Sequence, residues 1–161
     1  MLVDEVDAIQ NPGLGATLIW RTVCGYYKAS GKANGCPLLL AFIVLPVIYN
    51  EDLRKVVSRT WPSSGIRKFE SKFGKEVDLL FSIQDRAAAM RELSRRSLAI
   101  GLSTGLLTLA PEASLLWPRS TTFTKAVPLG VHEMTSAAEK LGAWAQQTSL
   151  RELCFSLRLE L

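Results

Sequence analysis

The run from Pro37 to Tyr49, PLLLAFIVLPVIY, holds thirteen consecutive residues with no charge, amide or hydroxyl other than the terminal tyrosine. A segment that is apolar on every side must be buried on every side, whether it is helix or strand. It is too short for the roughly 20 residues a helix needs to cross a bilayer, and Pro46 interrupts it. The run therefore predicts a core segment around which the rest of the chain is wrapped. Its leucines favour helix, kinked or ended near Pro46, while the branched residues from Phe42 to Val44 favour extended structure.

The chain has 161 residues, 48% of them hydrophobic, which suits one domain spanning 1–161. A chain this long buries roughly 70% of the surface its unfolded form exposes, so a core forms without disulfides or metal. Three cysteines, Cys24, Cys36 and Cys154, form no CxxC spacing. They read as reduced, buried thiols in a reducing compartment. The acidic opening MLVDEVDAIQ lacks the basic start of a secretory signal. A soluble cytoplasmic protein with no membrane partner is expected.

Four segments organise the chain: an acidic stretch over 1–10, an apolar helical block over 11–60, a basic and hairpin region over 61–117, and a loop with C-terminal helices over 118–161. Asn11-Pro12 is a helix start, because Asn accepts from free N–H groups and Pro fits the first turn. That helix should run from 12 to 29, with Leu14, Leu18, Val23 and Tyr26 or Tyr27 inward, and stop at Gly31. Asn50 caps a helix over 51–60 with Glu51 and Asp52 in its first turn. A basic helix over 66–73 should end at Gly74. Ser82 with Asp85 three residues on predicts one long helix over 82–104, inward at Ile83, Ala87, Met90, Leu93 or Ser94, Ser97 and Ile100, ended by Gly105. LLTLAPEASLLW predicts two strands around Pro111-Glu112, a helix leading into a hairpin as in the second half of a winged-helix domain. Residues 118–131 read as loop, 135–146 as helix, and Ser149 with Glu152 as the capping box of a last short helix. The fold class is mainly α (α+β), a helical domain with a winged-helix-like β-hairpin.

Between Arg54 and Lys75 lie seven bases, Arg54, Lys55, Arg59, Arg67, Lys68, Lys72 and Lys75, opposed only by Glu70. That segment carries +6, more than the +4 of the whole chain. It reads as a contact surface for DNA phosphates or for an acidic partner, against the plainer reading of a solvated helix face. Arg91 and Arg95 extend it, and Arg96 has Glu92 at i−4 as an intrahelical mate. Of the four tryptophans, Trp20 and Trp144 read as core, while Trp61 and Trp117, beside a loop and at the end of the hairpin, are candidate interface anchors.

No catalytic, cofactor or metal site is expected. Gly13 and Gly15 lack the third glycine of a dinucleotide fingerprint and the lysine of a P-loop, so close helix packing explains them better. His132 beside Glu133 has the chemistry of an oriented general base, but no nucleophile lies near it in the sequence. Asp4, Glu5 and Asp7 read as a solubilising tail or an inter-subunit strap. One histidine and three cysteines make no convincing zinc set.

The blocks NPGLGATLIWRTVCGYY, PLLLAFIVLPVIYNEDLR and AEKLGAWAQQTSLRELCFSLRLEL, in this order, resemble the middle component of prokaryotic ABC three-component systems. The basic region around Trp61 to Glu76 departs from that pattern. The resemblance implies a small subunit encoded between an SMC-like ABC ATPase and an effector, as in Lamassu-type antiphage defence. It implies a non-enzymatic bridge between the two, with DNA as a further contact. A stand-alone winged-helix DNA-binding regulator is the alternative.

Overall fold

The computed structural model describes residues 11–60, 77–123 and 129–156. Helix α1 (Pro12–Ala29) is the centre. Asn11 Oδ1 accepts from Gly13 N at 2.8 Å and Leu14 N at 3.4 Å, the expected cap. The helix stops at Ser30, where Gly31 turns to φ +69° and Lys32 N donates back to Tyr27 O at 2.9 Å. The expectation of one inward stripe is too narrow. Gly15, Ala16 and every residue from Leu18 to Gly25 are buried, because α1 has neighbours on all sides.

The apolar run folds as a two-residue strand, β1 (Cys36–Pro37), a 3-10 turn (Leu38–Leu40) and helix α2 (Ala41–Ile48). Helix is the outcome over most of the run, and it continues two residues past Pro46. Seven of the eight α2 residues are buried, as an all-apolar segment requires. Asn50 Oδ1 caps α3 (Glu51–Arg59) by accepting from Asp52 N and Leu53 N.

The single helix expected over 82–104 is instead two, α4 (Val77–Ala89) and α5 (Arg91–Ser103), broken at Met90. Since the backbone is already helical at Val77, Ser82 lies within a helix and opens nothing. No glycine or proline marks the break at Met90, and nothing local explains it. Ile83, Ser94 and Ser97 are fully buried as expected, and Gly105 at φ +79° ends α5. The hairpin follows as β2 (Leu107–Ala110) and β3 (Leu115–Pro118). β1 joins it to give a three-stranded antiparallel sheet in the order β1-β3-β2. Helix α6 (Leu129–Gln147) starts six residues before the expected 135. Gly130 and Val131 are weak helix formers, and they disguise its first turn. Ser149 Oγ accepts from Glu152 N at 3.1 Å and opens α7 (Leu150–Ser156).

The core lies where α1 meets α2, α5 and α6. Leu18, Ile19, Ile43, Leu45, Leu53 and Trp144 are among its fully buried side chains. Glycines set the distances. A Cβ on Gly25 would stand 2.0 Å from Glu139 O, and one on Gly142 would stand 1.9 Å from Thr22 O. The α1 and α6 backbones touch there. Gly15 instead faces the Ser97 side chain on α5, which bears out close helix packing as the role of that glycine.

Candidate functional site

The basic residues expected to form one surface divide into two groups. Arg54 is only 14% exposed in its side chain; its Nη1 donates to Ile48 O at 3.0 Å and its Nε stands 3.6 Å from Glu133 Oε1. Arg86 Nε donates to Pro46 O at 3.2 Å. Ile48 and Pro46 sit in the last turn of α2, whose terminal carbonyls have no intrahelical partners. Two guanidinium groups from other helices fill that gap, at the helix end where positive charge is favoured. Lys55 pairs with Glu51 on its own helix at 2.6 Å, and that contact holds the Glu51 carboxyl below its usual range. Arg59 is exposed at the end of α3.

Arg91 and Arg95 lie one turn apart on α5, both exposed, with exposed Arg96 beside them. Glu92 pairs with Arg95 at 3.2 Å rather than with Arg96, an i,i+3 contact in place of the expected i,i+4 one. Both side chains are about two-thirds exposed, and such pairs contribute about 0.5 kcal/mol or less. The arginine row on α5 is therefore a solvent-facing strip. Trp61, Arg67, Lys68, Lys72 and Lys75 lie outside the described residues, as does the helix expected over 66–73.

Trp117 sits half-buried on β3. Its ring meets Tyr27 edge-on at 6.1 Å, and its indole lies so close over Gly35 that a Cβ there would stand 2.7 Å from Cε2. The register places Thr108 opposite Trp117, and Leu115 opposite both Ala110 and Pro37. Paired residues share a face of a sheet, so Pro37, Thr108, Ala110, Leu115 and Trp117 form one face. Cys36, Leu107, Leu109, Leu116 and Pro118 form the other; Cys36, Leu107 and Leu116 are fully buried, whereas Pro118 is half-buried and Leu109 is exposed. The outer face is half-buried to exposed throughout. His132 is exposed in the first turns of α6, and its carboxylate neighbour Glu133 is engaged with Arg54.

One polar cluster has no counterpart in the sequence reading. Arg21, 5% exposed, donates to Thr121 O at 2.7 Å and pairs with the Glu139 carboxylate. Its guanidinium stands 4.6 Å from the Phe123 ring centre and 5.0 Å from that of Trp20. Lys28 reaches the other Glu139 oxygen at 3.0 Å. Burial works to raise the Glu139 carboxyl, but the hydrogen bonds and charges of Lys28 and Arg21 outweigh it and hold the group below its usual range. The same α1 face supplies Trp20 Nε1 to Ser120 O at 2.8 Å, so residues 120–123 are strapped across the helix. A guanidinium inside an apolar helix is the one clue in the sequence, because a buried charge demands a partner. Finding Glu139, 118 positions away, takes the fold.

Burial pushes Cys24 up to about 11 and raises Cys36 and Cys154 as well. Among the described residues no group of three or more His, Cys, Asp or Glu side chains is placed to hold a metal ion. No helix among them is long and apolar enough to cross a membrane.

Fold and surface together define a mainly helical domain with a small antiparallel sheet, a buried ion cluster holding its central helices, and a solvent-facing arginine row. The chain belongs to the ABC three-component system middle component 3 family, whose model matches residues 1–160. Neither a curated protein nor a solved structure matches it. As the middle component of a multi-component system, it has partner components.

Proposed function

We propose that the chain is a soluble cytoplasmic, non-enzymatic bridging subunit of an antiphage defence complex of Lamassu type, holding an SMC-like ABC ATPase against an effector. Family membership over 1–160 is the observation that carries this reading. The use made of the charged groups supports it. Glu139 serves Arg21 and Lys28, Glu133 serves Arg54, and Glu51 serves Lys55. The first two of these carboxylates join different helices, and the thiols are buried. ATP hydrolysis and any nucleic-acid cleavage then belong to the partners. Co-expression with the other components of the system tests the reading. A stable complex in which ATPase and effector associate only when this chain is present supports it; turnover of nucleotide or nucleic acid by the purified chain, lost on substituting one of its own residues, refutes it.

The helix-then-hairpin order of α5, β2 and β3 and the row Arg91, Arg95, Arg96 favour a second reading, a stand-alone DNA-binding regulator. Phosphate contacts make affinity fall steeply with salt, and removing one such contact lowers the salt slope by about 1. Under that reading, Arg91→Glu with Arg95→Glu weakens duplex binding by the isolated chain and flattens its salt dependence. Under the bridging reading, the isolated chain binds duplex negligibly before and after the change.

A further inference from the structure

We propose that the outer face of the sheet, formed by Pro37, Thr108, Ala110, Leu115 and Trp117, is the seat for an apolar segment flanked by carboxylates on another component of the system. The inference rests on the bridging reading and assigns it a surface. An antiparallel sheet with one solvated face alternates polar and apolar side chains, whereas strands covered on both faces are apolar throughout. This sheet follows the second pattern. Its inner face, Cys36, Leu107, Leu109, Leu116 and Pro118, is apolar throughout and fully buried at Cys36, Leu107 and Leu116, and Thr108 is the one polar side chain on its outer face. Tyr27 covers only the Trp117 end, and Leu115 and Thr108 remain open to different degrees. A tryptophan on the central strand of a half-open apolar face has the composition of an interface anchor.

Charge indicates the occupant. Lys32 is exposed and tied by its backbone to Tyr27 O at 2.9 Å, beside the ring that meets Trp117. Arg119, also exposed, follows β3 at the same end. Among the described residues neither cation has a carboxylate partner. Glu112, in the hairpin turn, marks the opposite end. A partner segment with carboxylates toward the Trp117 end complements this polarity, and a basic one opposes it.

The test co-expresses the chain with the other components of its system and compares wild type with Thr108→Glu, Lys32→Glu and Thr108→Arg. Thr108 and Lys32 are exposed, so thermal melting of each isolated variant within about 2 °C of wild type establishes that folding is intact. The expected result is about ten-fold or greater loss of recovered complex for Thr108→Glu and several-fold for Lys32→Glu. Thr108→Arg retains it, and Trp117 becomes protected from oxidative labelling on assembly. Wild-type recovery with both glutamate variants and an unprotected Trp117 overturns the inference while leaving the bridging reading intact. Failure of the wild-type chain to form any complex refutes the bridging reading, and the inference with it. If the isolated chain dimerises, protects Trp117 and is made monomeric by Thr108→Glu, the seat belongs to a second copy and the inference is overturned.

Discussion

Along its length α1 presses on α5 through Gly15 and on α6 through Gly25, and these two seams respond differently to the same added atom. On the α6 side the obstructing atoms are backbone: a Cβ on Gly25 or Gly142 would meet the carbonyls of Glu139 and Thr22 at 2.0 and 1.9 Å. On the α5 side the obstructing group is the Ser97 side chain, with Oγ at 2.1 Å and Cβ at 2.9 Å. A carbonyl inside a helix moves only if the helix moves, whereas a hydroxymethyl group can be truncated. The α6 seam is therefore fixed by the main chain, and the α5 seam by side chains that substitution can relieve. The α6 seam is also bound electrostatically by Arg21, Lys28 and Glu139, while Ser94 and Ser97 on the α5 side hold buried hydroxyls without a hydrogen-bond partner among the described residues.

The largest effect expected is from Gly142→Ala. Alanine is the better helix former by about 1 kcal/mol, so a purely local account predicts stabilisation. Separating two packed helices instead costs about 3–5 kcal/mol, at the upper end of single-substitution effects. Urea unfolding should show a strongly lowered midpoint or no cooperative transition. A midpoint at or above wild type would show that the backbone contact yields, and the distinction between the seams would fail.

Next comes the ion cluster. Glu139→Gln leaves the buried Arg21 guanidinium without its counter-charge, at a cost of about 2–3 kcal/mol, below the 3–5 typical of a fully buried pair because Glu139 is one-third exposed. The carboxyl is held below its usual range in the folded chain, so its contribution is complete at neutral pH. It is lost as pH falls below about 4.5, the unfolded value, and through the lower folded one. Melting temperature against pH should therefore slope less on its acid limb in Glu139→Gln than in wild type. Parallel limbs would mean that Glu139 is not the group that titrates.

How far these features were legible in the sequence follows from how local each one is. Caps need a side chain and a backbone within three residues, and Asn11, Asn50 and Ser149 all act as their spacing implies. The hairpin was legible because its turn residues sit between two short apolar runs. The third strand was not, since Cys36-Pro37 is too short to show a period and exists only by pairing with Leu115 and Leu116. Charge counting grouped Arg54 with the surface bases because a sum has no geometry. Its work at the end of α2 depends on where Ile48 stops the helix. Of the candidate contact residues, Arg91, Arg95 and Trp117 reach solvent at least in part, whereas Arg54 is spent on the fold.

The α5 seam sharpens the comparison at lower energy. Gly15→Ala should cost about 1–2 kcal/mol, the clash with Ser97 exceeding the gain in helix propensity. Adding Ser97→Ala removes the nearer obstruction, leaves the Ser97 Cβ at 2.9 Å, and should recover part of the loss. Residues in contact couple by 0.5 kcal/mol or more in such cycles, so a double variant no better than the sum of the singles would place the obstruction elsewhere. No matching rescue exists for Gly142→Ala, because truncating a side chain cannot shorten a carbonyl.

Ser94→Ala is the smallest change and the most discriminating about why the α5 seam is soft. Ser94 is 1% exposed and its hydroxyl has no partner among the described residues. A buried unpaired hydroxyl carries a desolvation penalty of about 1–3 kcal/mol, and alanine removes it while improving helix propensity by a few tenths. Losing the oxygen's packing contacts offsets part of that gain. The expected net is a stabilisation of about 0.5–1 kcal/mol, read as a raised urea midpoint with an unchanged slope. A destabilisation of similar size would mean that the hydroxyl is satisfied in solution by a bound water, and that the α5 seam is held by a hydrogen bond the packing alone does not supply.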